Sequence, residues 1–260
     1  MHNYFYMRKD LNMGFNSFQN NGGDWMQSAG KNAVAQSVAS KTIAGVYGWM
    51  AFGVLLSAMV GMGLIQSGGL QAILSMGSGV FIALMIVQIG LVIGMSFAAN
   101  KLSATALKGM FLLYASLTGI TFATIMVIYP IGNVVALFAV AALGFTALAV
   151  FGAVTKKNLG FMSTFLMMGL FMIIGVGIIN MFVHSEMLRT FTGWAGILVF
   201  SGLTAYDSQR IREGAYSLSL QSAGDSQAMG KFMIFGALTM YLNFINLFIS
   251  LLQIFGGRKD

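Results

Sequence analysis

The sequence predicts an all-α polytopic membrane protein with seven transmembrane helices and a central last helix. Of its 260 residues, 57% are hydrophobic and only 8% are charged, whereas a soluble domain carries about 25% charged residues. From about residue 41 onward the chain consists largely of apolar segments long enough to cross a bilayer. Within these segments there is one acidic residue, Asp207. A carboxylate there costs about 2.5–3.5 kcal/mol to insert and usually marks an ion or proton path.

The apolar segments define the predicted spans, because a transmembrane helix needs about 20 apolar residues. In chain order the spans are residues 43–65, 79–99, 106–128, 133–154, 161–183, 190–208 and 232–256. Together they fill most of the chain after residue 41 and leave no room for a second globular domain. Residues 41–257 are therefore expected to form one seven-helix transmembrane domain.

Residues 1–40 have a different composition from the spans. They are rich in Asn, Gln, Ser and Gly, as in the run NSFQNNGG at residues 16–23, and have the features of neither a secretory signal nor a spanning helix. This composition predicts a disordered N-terminal tail. The alternative is a segment that lies on the membrane surface through aromatic residues such as Tyr4 and Trp25.

The basic residues predict a cytoplasmic N-terminus, because loops on that side carry an excess of Lys and Arg. With this orientation, 11 basic residues lie inside and three lie outside. The predicted location is the cell (inner) membrane. A last segment that re-enters the membrane would move Arg258 and Lys259 to the inner side. The basic residues are scattered singly over loops, which does not favour nucleic-acid binding.

Several spans carry isolated polar residues whose commoner role is packing between helices. Gln88 lies in the second span, and Asn180 lies near the end of the fifth. The third span has a short polar face; its members are Tyr114, Thr118 and Thr121. Gly90 and Gly94 form a G-x-x-x-G pattern, which allows a close helix approach but is a weak signal alone.

The sixth span places Asp207 beside a polar face formed by Ser201, Thr204 and Ser208. Arg210 follows Asp207 by three residues, so a simple intrahelical ion pair at the helix end is one interpretation. The other, which we favour, is that Asp207 points into the bundle and contacts the last helix near Asn243.

The last span carries a continuous polar stripe. Steps of three and four residues place the stripe on one helix face; it comprises Gly236, Thr239, Asn243, Asn246, Ser250 and Gln253. Amide side chains in a membrane must face protein or water, which places this helix at the bundle centre. The stripe is equally compatible with joining neighbouring helices and with lining a cavity.

Enzymatic activity is not expected, because the residues that the common mechanisms require are missing. There is no cysteine, and the two histidines, His2 and His184, lie outside the predicted spans, so no H-E-x-x-H zinc site exists. An intramembrane aspartyl protease needs two membrane carboxylates, and this chain has one. The sequence has no nucleotide-binding glycine motif, and no cofactor is expected.

Two motifs resemble those of the Bax inhibitor-1 family of membrane proteins. One is TGWAGILVFSGLTAYDSQRIR at residues 192–212, and the other is YLNFINLFISLLQIFG at residues 241–256. The resemblance extends over about residues 41–257 and implies a last helix wrapped by the other six. It also implies a link to pH-sensitive calcium leak and, for some bacterial members, to modulation of a membrane-anchored AAA protease.

The resemblance implies roles for particular residues and shows two departures. Members that leak calcium use an aspartate pair, and Asp207 matches the first through its Tyr-Asp-x-x-x-Ile pattern. Asn243 stands where the second is expected, and Gln88 stands where relatives often have a glutamate. An Asp–Asn pair cannot titrate as a coupled pair and presents less charge to calcium.

Two functions therefore remain open from the sequence. The first is a passive calcium or cation leak pathway whose path or gate involves Asp207, Asn243, Asn246, Gln88 and Arg210, with Asp207 as a transient calcium contact. The second is a non-conducting regulatory protein that binds membrane partners, such as a membrane-anchored AAA protease. We favour the first, because the polar stripe and Asp207 supply a path through the bundle.

Overall fold

The computed structural model describes residues 3–77, 79–99, 101–222 and 225–259, with side chains from residue 29 onward. Within this part of the chain all regular structure is helical, which confirms the predicted all-α fold. The helices are α1 (Asn3–Gln66), α2 (Gly69–Ser75), α3 (Gly79–Ala98), α4 (Ala104–Ile128), α5 (Ile131–Val154), α6 (Ser163–Val183), α7 (Glu186–Ser222) and α8 (Ser226–Phe255). A 3₁₀ turn, Leu159–Met162, precedes α6.

Each predicted span lies in a separate long helix, and local chemistry explains several helix ends. Ser103 caps α4 by accepting a hydrogen bond from the Ala106 N–H, and Asp225 caps α8 by accepting bonds from two backbone N–H groups. Tyr129 ends α4 in an extended conformation, as expected for a residue before proline. The single proline, Pro130, then leads into α5.

Two helices extend well beyond their predicted spans. The helix α7 has 37 residues, which corresponds to about 55 Å, and continues 14 residues past the predicted end at Ser208. The helix α1 is continuous across the predicted domain boundary at residue 40, where Ala35 and Ala39 are buried. The side chains of residues 1–28 lie outside the described set, so the disordered tail stays a prediction.

Six helices in the described residues are long and apolar enough to cross a membrane: α1, α3, α4, α5, α6 with its preceding turn, and α8. The helix α7, which contains the predicted span 190–208, is not among them. The structure therefore supports a polytopic membrane fold, and the count of seven spans stays a prediction.

The last helix, α8, lies at the centre of the bundle, as predicted. Its apolar stretch is 61% buried, compared with 6–33% for the other candidate spans. It packs against α1, α4, α5 and α7. Phe244 and Phe248 make edge-to-face contacts with aromatic rings of α4 and α5. In contrast, α3 packs chiefly on α4, and α6 packs chiefly on α7, so both helices are peripheral.

The helix α8 runs the full length of the bundle beside α4. Near its start, Gln227 accepts a hydrogen bond from the Ala104 N–H at the beginning of α4. At its other end, the Lys259 N–H donates to the Ile128 carbonyl at the end of α4, and Asn133 donates to the Gly256 carbonyl. The last segment is therefore not re-entrant, and the C-terminal basic residues lie at the end of the bundle opposite the α3–α4 connection.

Candidate functional site

A cavity of about 1030 Å³ lies between the peripheral helices α3 and α6 and is backed by α7 and α8. Its walls differ in polarity. The α3 and α6 walls are mainly apolar, whereas the wall formed by α7 and α8 carries most of the polar groups. These are Tyr206, Asp207, Arg210, Thr239, Asn243 and Asn246. We call this space the Asp207 cavity.

Asp207 and Asn243 meet at the polar wall, as predicted. The Asn243 amide Nδ2 donates to Asp207 Oδ2 over 2.8 Å, and the two residues are only 7% and 5% exposed. A bond to a charged group in such surroundings is stronger than a neutral one. The amide therefore stabilises the carboxylate and holds it against α8.

Three oxygen atoms of this wall remain available to a ligand. The Asn246 Nδ2 group donates to the Leu242 carbonyl within its own helix. Within the described residues, no hydrogen bond engages Asp207 Oδ1 or the amide oxygens of Asn243 and Asn246. Since every fully buried side-chain nitrogen and oxygen there has a partner, these oxygens are accessible from the cavity.

The alternative ion pair between Asp207 and Arg210 does not form. The ion pairs in the described residues join Arg189 to Glu186 and Arg212 to Glu213. The Arg210 side chain is exposed and borders the Asp207 cavity. Arg210 thus adds positive charge near the cavity without neutralising Asp207 directly.

Gln88 also lines the cavity, from the α3 side. Its Nε2 group donates to Thr118 Oγ1 over 3.0 Å, which joins α3 to α4. The described residues contain no group of three His, Cys, Asp or Glu side chains that could hold a metal ion. Calcium prefers six to eight oxygen ligands, so this wall could offer it a transient contact rather than a tight site.

The polar stripe of α8 joins neighbouring helices at some positions along the helix and lines the cavity at others. Towards the ends of the stripe, Gly236 packs chiefly against Val46 of α1, and Ser250 packs against Gly196 of α7. In the middle, Thr239, Asn243 and Asn246 face the cavity. The distinction depends on whether a neighbouring helix or open space lies opposite each residue, which periodicity alone does not show.

The residues that follow Asp207 anchor α7, a role that sequence reasoning missed. Ser208 donates to the Ala149 carbonyl of α5 over 2.6 Å. Gln209 bonds the connection between α5 and α6 twice, at the Lys157 carbonyl and the Leu159 N–H. The run Ser-Gln-Arg after the acidic residue is the signal that could have suggested such an anchor.

Arg212 and Tyr47 complete this anchor. Arg212 donates to the Ala153 and Thr155 carbonyls at the end of α5, where helix carbonyls lack intrahelical partners. Ser208 already donates its proton to α5, so the Tyr47 hydroxyl of α1 donates to Ser208 over 2.7 Å. These bonds fix the position of α7 along the bundle and its rotation about its own axis, and thereby the position of Asp207.

A close helix crossing lies next to the site. A Cβ atom on Gly152 of α5 would collide with the backbone of Ala205 in α7, so the two helices meet at a glycine. The pair in the G-x-x-x-G pattern behaves differently: Gly90 faces open space, and Gly94 has only a methionine methyl nearby. A close approach at Gly90 is therefore not observed.

Comparison with known proteins decides the family. The family described as "Inhibitor of apoptosis-promoting Bax1" matches residues 39–260. The chain belongs to the Bax inhibitor-1 family. It is similar to inner membrane protein YbhL of Escherichia coli strain K12, with 37% identity over 217 residues that cover 84% of this chain and 92% of YbhL.

Two further relatives match over nearly the same extent. An uncharacterized protein of Borreliella burgdorferi is 35% identical over 86% of this chain and 94% of its own length. One of Deinococcus radiodurans is 36% identical over 84% and 90%, respectively. The match to an inner membrane protein and the apolar helices support a multi-pass membrane location for this chain.

Proposed function

We propose that this Bax inhibitor-1 family member is a passive cation leak pathway that carries calcium through the Asp207 cavity. The observation that carries the proposal is the polar wall of α7 and α8. One carboxylate and two amide groups present free oxygens to a space of about 1030 Å³. Oxygen ligands and negative charge favour calcium, and an intramembrane acid usually marks an ion path.

The Asp207–Asn243 pair sets the expected properties of the leak. A single carboxylate held by a neutral amide attracts a divalent cation more weakly than two carboxylates would. Weak binding suits conduction, because an ion must leave as readily as it enters. The pair also has no second acid with which to share a proton, so we expect no coupled, steep gating near neutral pH.

The charge distribution supports a cytoplasmic N-terminus. Of the 14 basic residues, 11 fall in the parts of the chain that the predicted topology assigns to the inner side, where the positive-inside rule places the cytoplasm. The full-length course of α8 puts Arg258 and Lys259 at the other end. The proposed location is the inner membrane, with α1 entering from the cytoplasmic side.

A regulatory role without conduction is the second candidate, favoured by the part of α7 beyond Ser208. Tyr216 and Leu220, four residues apart on one helix face, are 41% and 49% exposed. They lie on the proposed cytoplasmic side and could contact a membrane-anchored partner such as an AAA protease.

Calcium entry into proteoliposomes separates the two candidates. The natural chain should carry calcium above the rate of protein-free liposomes, and Asp207→Ala should reduce that rate about tenfold or more, equivalent to about 1.4 kcal/mol. Arg210→Ala should change it less, because Arg210 forms no ion pair with Asp207 in the described residues. Glu213→Gln, which removes an acid of the same helix outside the cavity, should leave the rate unchanged.

Two results would contradict the leak proposal. One is a natural protein whose calcium entry equals that of empty liposomes, which would favour the regulatory candidate. The other is an equal, small effect of Asp207→Ala and Glu213→Gln, which would show that calcium does not pass Asp207.

A further inference from the structure

A second cavity, of about 540 Å³, forms an apolar groove between α1 and α5. Both helices pack against α7 and α8, and the groove lies between them with Phe244 of α8 among its lining residues. Buried side chains line its floor, namely Met50, Val54, Phe145, Ala149 and Phe244. Exposed side chains form its rims, namely Ala51 and Leu55 on α1 and Thr146 and Val150 on α5.

The polar groups of the groove are already bonded. Thr146 donates its hydroxyl proton to the Ala142 carbonyl of its own helix, and Tyr47 bonds Ser208. The groove therefore presents a long apolar surface, and its lining side chains need no polar ligand to complete their hydrogen bonds.

The dimensions of the groove suit a single hydrocarbon chain. Its α5 side, from Phe138 to Ala153, is about 22 Å long at 1.5 Å per residue. The groove is open along its side, its volume is about 540 Å³ and its lining is almost wholly apolar. An extended acyl chain can therefore lie along it with its carbons in contact with the lining at about 3.5–4.0 Å.

One end of the groove is positively charged. Ala153 lines the groove, and Arg212 donates to its carbonyl over 2.6 Å. Arg212 also pairs with Glu213 over 3.3 Å, which offsets one charge. The α5–α6 connection begins two residues after Ala153 and carries Lys156 and Lys157, both exposed. The balance at this end is positive.

We infer that the α1–α5 groove binds an anionic glycerophospholipid, with one acyl chain in the groove and its phosphate near Lys156 and Lys157. The charge at one end supplies the headgroup contact, and the apolar floor supplies the chain contact. The groove is longer than the roughly 15 Å that one leaflet contributes to the hydrocarbon core, so a chain of that leaflet can lie along it. This site is separate from the Asp207 cavity and does not depend on ion conduction.

Native mass spectrometry of protein released from nanodiscs of phosphatidylglycerol and phosphatidylethanolamine tests the site. The natural chain should retain phosphatidylglycerol preferentially. Ala142→Phe fills the groove and should lose the retained lipid, whereas Ala147→Phe, on an exposed part of α5 outside the groove, should keep it. The double variant Lys156→Gln/Lys157→Gln leaves the groove open and should lose the preference for phosphatidylglycerol.

Any of several outcomes would overturn the inference. Equal retention by Ala142→Phe and Ala147→Phe would show that the lipid binds elsewhere. If the double lysine variant still prefers phosphatidylglycerol, the proposed headgroup contact with Lys156 and Lys157 is wrong. This variant also keeps the proposal testable if Ala142→Phe does not fold. Thr146→Cys places a thiol at the rim of the groove. If this thiol cross-links to a protein segment and not to a thiol-reactive lipid, the groove binds a helix.

Discussion

The crossing of α5 and α7 at Gly152 should tolerate no side chain. A Cβ atom on Gly152 would lie 2.8 Å from the carbonyl carbon of Ala205 and 2.9 Å from its Cα atom, whereas carbon atoms touch at about 3.5–4.0 Å. The Ala205 carbonyl oxygen lies closer still, so Gly152→Ala forces the two backbones about 1 Å or more apart. That displacement also stretches the bond from Ser208 to the Ala149 carbonyl. Overpacking of this kind costs about 1–3 kcal/mol.

Gly144→Ala is the matched control on the same helix, because a Cβ atom there meets no atom within 4 Å. It should leave the free energy of unfolding unchanged or raise it by up to about 1 kcal/mol, the gain in helix propensity. Unfolding by sodium dodecyl sulfate in mixed micelles measures both variants. Gly152→Ala should be destabilised by about 1–3 kcal/mol. Equal stability of the two variants would refute the tight crossing.

Three further predictions concern topology, packing and the site. Cysteine at Asn158 should resist an impermeant thiol reagent in intact cells, and cysteine at Met187 should react; the reverse pattern would invert the orientation. Ser57→Ala removes the hydroxyl that bonds the buried Tyr241 hydroxyl and should destabilise the fold by about 1–3 kcal/mol. Adding Tyr241→Phe should recover part of that loss in unfolding titrations, and full additivity would contradict the bond. Asn243→Asp creates two adjacent carboxylates that titrate together, so calcium flux should gain a pH dependence between about pH 6 and 8. A steep transition already present in the natural chain would contradict this prediction.

The bundle itself could be predicted because membrane-length apolar runs have few alternative structures. The length of α7 could not be predicted, because the apolar run ends at Arg210, Arg212 and Glu213 while the helix continues. Beyond Ser208 the helix is held by packing, with Ala215 and Ser219 buried, and such tertiary contacts leave no period in the hydropathy.

The contact between Asp207 and Asn243 was predictable because an isolated acid and a polar stripe each need a partner inside the membrane. The shape of the cavity was not, since it depends on how far α3 and α6 lie from each other. The close crossing at Gly152 was equally hidden among 33 glycines. A glycine pattern does not show whether a neighbouring backbone lies opposite it, and Gly90 has none.

Cysteine modification inside the Asp207 cavity tests the proposed ion path most directly, and the chain has no native cysteine to interfere. Asn246→Cys places a thiol on the polar wall, and Thr146→Cys places one in the α1–α5 groove as the control. Calcium flux into proteoliposomes is measured before and after a cationic methanethiosulfonate reagent. We predict that the reagent blocks flux through Asn246→Cys and leaves flux through Thr146→Cys unchanged. Flux through a fully modified Asn246→Cys protein that stays at its starting rate would contradict conduction through this cavity.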